Sequence, residues 1–251
     1  NGINEAGVGD GGYGRAAWFG LSGGFGSVQL GRQARNSVVA AVAASPAGWR
    51  GTDPEAAVGI RYSINTNVGV SSRNSAMINY ISPTVSGITA RIGYVNAADN
   101  ANKSVVDAAL IYANGPLTLT YGYLKADTLE ANSGVHGAYD LGVATVMASY
   151  NKRGAIPAGA ATYAMSTSTG VISSTAGAAA VDAQDGFSIG AKAPFGATTV
   201  YATYAKNNDS KVNAFELGAD YALSKRTALT AFAAKTKAKD AGYYVGVRHA
   251  F

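Results

Sequence analysis

At 251 residues, with two His, no Cys and a net charge of +5, the chain lacks the side chains for metal clusters, thiol chemistry or disulfides. Its Lys and Arg form no stripe of the kind that nucleic acid requires, and no apolar run approaches the roughly 18 residues of a membrane helix. Fifteen Tyr, 32 Gly and only 14% charged residues suit thin β walls in which every second residue is small or polar. A soluble β-sandwich is the competing reading of that composition.

Period-two character predicts thirteen strands, near 13–22, 26–33, 74–82, 87–95, 104–113, 116–125, 134–140, 144–152, 185–193, 196–206, 211–222, 226–235 and 242–251. In the fourth, Ile88, Ala90, Ile92 and Tyr94 make an apolar front, with Thr89, Arg91 and Gly93 behind it. Leu117, Leu119, Tyr121 and Tyr123 do the same against Thr118, Thr120 and Gly122, as do Phe215, Leu217, Ala219 and Tyr221 against Glu216, Gly218 and Asp220. An apolar front and a polar back repeated along the whole length require a polar compartment with an apolar surround.

Connections carrying turn formers, such as Asn114-Gly115, Leu141-Gly142 and Pro194-Phe195, alternate strictly with longer ones at about 34–73, 96–103, 126–133, 153–184, 207–210 and 236–241. This is the layout of a single all-β domain, an antiparallel up-and-down transmembrane β-barrel with tight turns at one rim and long loops at the other. The stretch 154–180, rich in Ala, Ser, Thr and Gly, reads as an exposed outer loop. Bacterial barrels have even strand numbers, so thirteen implies either strands preceding residue 1 or a count off by one. The last strand alternates Tyr243, Val245 and Val247 with small or charged residues and ends on Phe251.

Two short matches are spurious. Gly20-Leu-Ser-Gly-Gly24 fits the hydrolase nucleophile pattern, but Ser22 lies at a hairpin where a strand-to-helix elbow is needed. Gly9-Asp-Gly-Gly-Tyr-Gly14 has neither the preceding strand nor the following helix of a dinucleotide fingerprint. No enzyme chemistry and no cofactor is expected.

Leu21-Ser-Gly-Gly-Phe-Gly-Ser-Val-Gln-Leu-Gly-Arg-Gln33 resembles the hairpin before the constriction loop of Gram-negative general porins, particularly those of β-proteobacteria. Leu223-Ser-Lys-Arg-Thr-Ala-Leu229 is similar to their penultimate-strand hairpin, and Val245-Gly-Val-Arg-His-Ala-Phe251 to their closing strand. The resemblance implies a sixteen-stranded, homotrimeric outer-membrane barrel whose first strands precede this sequence, open to small hydrophilic solutes. It also implies outer-membrane lipid and lipopolysaccharide as surroundings, and reading of Tyr243, Val245, Val247 and Phe251 by the barrel-assembly machinery.

On that resemblance, 34–73 is similar to the third loop that folds into the lumen, and Arg15 and Arg73 align with the family's basic wall cluster. Alternation by itself turns Arg91 to the lumen. Asp53 and Glu55 are candidates for an opposing acidic side of the loop, with Arg50 and Arg61 near them. Guanidinium groups stay charged at any relevant pH, so such a constriction favours anions. A substrate-selective porin and a barrel-borne adhesin are the alternatives. The first would need an aromatic ladder in the lumen, and Tyr201, Tyr204 and Tyr244 make no regular one in sequence.

Overall fold

The computed structural model describes residues 16–49, 53–61, 72–96, 104–127, 129–158, 162–165, 172–175, 179–237 and 239–250. Among these residues, thirteen strands form one antiparallel sheet in chain order: β1 Ala17–Gly23, β2 Gly26–Ala34, β3 Arg73–Ile81, β4 Ile88–Val95, β5 Val105–Asn114, β6 Leu117–Ala126, β7 Asn132–Asp140, β8 Thr145–Arg153, β11 Gln184–Phe195, β12 Thr198–Asn207, β13 Asn213–Ala222, β14 Thr227–Thr236 and β15 Lys239–His249. Between β8 and β11 a separate hairpin pairs β9 Thr162–Met165 with β10 Ile172–Thr175. Each strand of the large sheet pairs with its neighbours in sequence, the meander expected of an up-and-down barrel wall. β1 and β15 are the two ends of this order.

The alternation sorts the faces as the sequence predicts. Along β4, Ile88, Ala90, Ile92 and Tyr94 are exposed, while Thr89, Arg91, Gly93 and Val95 are half-buried or buried on the other side. On β15, Tyr243 (80% exposed), Val245 (81%) and Val247 (66%) point outward. An apolar set this exposed has the character of a lipid-facing surface, not of a soluble core.

Two features depart from the expectation. The stretch 154–180 is not wholly an outer loop, because Ile156 bridges Val181 and is buried at 3% exposure. It packs with Leu129 and with Met77, Val95, Val105, Leu124 and Ala126 of the wall, so the inner face carries a dry apolar cluster at the long-loop rim. The second departure is a register shift between Gly31 and Gln33, where Arg32 faces two residues of β3, Ser75 and Ala76. The Arg32 guanidinium donates to Ser75 Oγ at 3.2 Å, so the irregularity supplies this outward charge with a partner.

Between β2 and β3 the chain turns inward. It forms α1 Asn36–Val42 and α2 Pro54–Ala57, both against the inner face. Arg35 N–H donates to Ser72 O at 3.2 Å, which pins the two ends of the loop together at the rim.

Candidate functional site: the loop folded into the lumen

α1 starts at a short run of polar residues, Arg35-Asn36-Ser37, all buried. Its own N-cap position supplies no side-chain acceptor. The acceptor comes from the wall: the Asp107 carboxylate on β5 takes the backbone N–H groups of both Asn36 and Ser37. A carboxylate there satisfies orphan donors and complements the positive end of the helix.

Around that anchor the inner wall is a connected polar network. Asn36 Nδ2 donates to Asn79 Oδ1 (2.8 Å), Asn79 Nδ2 to Gln33 Oε1 (3.0 Å), and Arg91 Nε to Asn36 Oδ1 (2.9 Å). Arg35 Nε donates to Asn74 Oδ1 at 2.5 Å. Burial pulls the Arg35 pKa down to about 10, opposed by the Asp107 charge, and the group still stays protonated at neutral pH. The close fit depends on Gly93: a Cβ there would collide with Met77 Cε and lie 3.2 Å from Asn36 Nδ2.

From Asn36 the loop crosses the inner face. Thr120 Oγ1 of β6 donates to Ala40 O at 2.8 Å, and Ala44 packs on Ala138 and Met147 of β7 and β8. Ala47 then reaches Tyr201 and Phe232 of β12 and β14. Glu55 of α2 is 7% exposed, and its Oε1 accepts from Ser149 Oγ (2.7 Å) on β8 and Ser188 Oγ (2.6 Å) on β11. Burial raises the Glu55 pKa, and the hydrogen bonds from Ser188, Ser149 and Asn151 only partly offset it. Val58 and Ile60 pack on Ala205 and Ala214, while Arg153 Nη1 holds Gly59 O at 2.7 Å. A cavity of about 10 Å³ lies between α2 and the wall around Ser188, Thr203 and Glu216.

The residues singled out from sequence fall into several settings. Arg91 is inward and half-buried, bonded to Asn36. Arg73 opens β3 at the rim, half-buried, with Nη1 at 3.4 Å from Ser72 Oγ and on the parity opposite to the inward Asn74. Asp53 takes a left-handed conformation (φ 45°), accepts the Ala56 N–H at 3.3 Å and pairs with Arg61. The Arg61 guanidinium lies 4.4 Å from the Trp49 ring centroid, and burial lowers its pKa to about 10, again leaving it charged. Arg15, Arg50 and Phe251 lie outside the described residues.

Sequence reasoning passed over Asp107, whose signal was an acid at an inward position of β5. It named Tyr201 and Tyr244 but not Phe232, which joins them in a lateral aromatic row across the inward positions of β12, β14 and β15. Tyr201 and Phe232 stack at 6.0 Å and Phe232 tilts on Tyr244 at 6.4 Å, with Gly218 on the intervening strand leaving the room that Phe232 fills. Tyr204 belongs to the outward parity. Beside the row, Tyr201 Oη donates to Asp220 Oδ2 (3.0 Å), which Arg248 Nη2 approaches at 3.5 Å.

A family model described as Gram-negative porin matches residues 2–241. An outer membrane porin protein of Bordetella pertussis is 28% identical over 235 residues, 74% of this chain, and the chain spans 61% of that relative's length. Among solved structures, the anion-selective porin from Comamonas acidovorans superposes with a TM-score of 0.69 at 22% identity, over 94% of this chain and 78% of that one. The trimer form of OmpT from Vibrio cholerae gives 0.61 at 15% identity, over 87% and 69%. Both share this fold.

Proposed function

The chain belongs to the Gram-negative porin family, an outer-membrane β-barrel family, and on that premise we propose that it forms a water-filled channel for passive diffusion of small hydrophilic solutes and ions. The observation that carries this reading is the loop, its described parts 35–49 and 53–61 docked along the inner face of an outwardly apolar wall. A rigid inward loop narrows a lumen without closing it, which sorts solutes by size. Solutes pass over the face of the loop turned away from the wall. The chemistry is passage, not catalysis.

The channel favours anions modestly. Arg35, Arg61 and Arg91 outnumber the two carboxylates set against them, Asp107 at the α1 N-terminus and Asp53 on Arg61, while Glu55 lies between two serine hydroxyls under burial that resists ionisation. A net charge of +5 acts in the same direction, and the Comamonas neighbour is itself an anion-selective porin. Reversal potentials across a salt gradient in planar bilayers test this. One charge about 8 Å from an ion path in water contributes about 0.5 kcal/mol, cut to about 0.2 kcal/mol by physiological salt and opposite in sign for anion and cation, so Arg91→Gln lowers the anion-to-cation permeability ratio roughly twofold. A cation-preferring wild type overturns the selectivity; absence of discrete conductance overturns the channel.

The chain assembles as a trimer, a reading supported by the trimer form of the Vibrio neighbour. Its closing residues Tyr243, Val245, Val247 and Phe251 serve barrel assembly. An unboiled sample running as a compact, SDS-resistant oligomer that shifts on heating is the expected result.

A further inference from the structure

Between the crossing of the loop and the tight-turn rim, the inner wall carries side chains that the channel reading does not use. The aromatic row starts beside an ammonium: in register Lys192 stands next to Tyr201, and Gly218, Phe232 and Tyr244 follow on β13, β14 and β15. Ala47 of the loop packs on Tyr201 and Phe232, both buried, while Tyr244 at the end of the row stays exposed. One step of the alternation nearer the rim, roughly 7 Å on, the inward residues are Asp220, Thr230 and Gly246. A further step along β15 brings Arg248, opposite Ala228.

Tyr244 and Arg248 lean toward one another. A Cβ at position 246 would lie 2.6 Å from Tyr244 Oη, so the hydroxyl end of the ring lies over Gly246 and points toward the rim. Arg248 reaches the opposite way, its Nη2 3.5 Å from Oδ2 of Asp220, which belongs to the row of Gly246. Asp220 is buried, and the same oxygen accepts from Tyr201 Oη at 3.0 Å. An exposed ring and an exposed guanidinium therefore converge over a glycine, with an anchored carboxylate holding the guanidinium.

We propose that this part of the lumen is a subsite for aromatic carboxylates: the ring of the solute lies on Tyr244, and its carboxylate takes N–H donors of Arg248 that Asp220 does not engage. The assignment rests on the channel reading and adds a solute class to it. The local chemistry selects both halves of the ligand. Asp220 offsets the Arg248 charge, so a small anion without a ring gains little here, and a neutral ring gains only the stacking. A planar acid gains both, and Lys192 adds positive charge at the far end of the row.

The test is block of single-channel current in planar bilayers by benzoate. Acetate serves as the acid without the ring, and benzamide as the ring without the charge. Benzoate half-blocks wild type at a concentration about tenfold below either control. Tyr244→Ala raises the half-blocking concentration of benzoate about three- to tenfold and leaves that of acetate unchanged. Arg248→Gln abolishes the advantage of benzoate over benzamide. Arg248→Lys, which keeps a charge against Asp220 and gives up the planar fork, retains part of it. Conductance without blocker equal to wild type is the control for folding of each variant. Equal block by benzoate and acetate in wild type, or block unchanged in Tyr244→Ala, overturns the proposal. Binding of benzoate to the detergent-solubilised protein is followed by saturation-transfer NMR on wild type and Tyr244→Ala. Benzoate bound through Tyr244 with no conductance would break the channel reading alone, and conductance with no preference for benzoate would break this one alone.

Discussion

Where α1 meets β3 to β5, the loop and the wall are joined by ions and amides: Arg35, Arg91 and Asp107 stand within one network with Asn36, Asn74 and Asn79. Where α2 meets β8 and β11, the join is a single buried carboxyl between two serine hydroxyls, backed by Val58 and Ile60. The first end embeds two guanidinium groups and a carboxylate in a set of amide and backbone hydrogen bonds. The second holds one charge that burial disfavours. The same loop is therefore fixed by a network of charges and amides at one end and by a single buried carboxyl at the other.

Breaking the ionic end gives the largest effect. Asp107→Ala leaves Arg35 buried beside an uncapped helix, and removing one partner of a buried pair costs about 3–5 kcal/mol. A lower melting temperature in detergent and a larger, noisier single-channel conductance check it; unchanged conductance would mean that α1 docks without the carboxylate.

At the other end, Glu55→Ala leaves the Ser149 and Ser188 hydroxyls with only each other as acceptor, so that one proton loses its partner at a cost of about 1–3 kcal/mol. Glu55→Gln keeps an acceptor for both hydroxyls and removes the ionisation. The sign follows from the raised pKa. The folded chain holds the Glu55 proton more tightly than the unfolded chain, so stability is full below the ordinary value of 4.5 and falls as pH rises from there through the native pKa. Thermal melts across that window show the slope in wild type and a flatter profile in Glu55→Gln. An identical slope in both would overturn the assignment to Glu55.

The smallest effect sharpens the middle of the loop. Arg61→Lys keeps the charge opposite Asp53 but gives up the flat stacking on Trp49, worth about 0.5–1 kcal/mol. A small drop in melting temperature with unaltered ion selectivity is the expected pattern.

The wall was legible in the sequence because a barrel strand writes its two environments into alternate residues. Ile88 to Tyr94, Leu117 to Tyr123 and Phe215 to Tyr221 all present the predicted faces. The buried foot of 154–180 was not legible: its composition is that of a solvated loop, and Ile156 and Val181 find each other only across the fold. Nor was the anchor of α1. Asp107 lies 71 residues from Asn36, and one acid behind two valines says nothing about the helix it will cap.

Alternation, turn chemistry and the aromatic closing strand are local, since each depends on neighbours two to four residues away in the chain. They determined the meander, its thirteen strands and which side faces lipid. The path of the loop and the protonation bias of Glu55 were decided by tertiary structure alone. Hydrogen bonds and burial act through space, and the partners of this loop come from strands that lie far away in sequence.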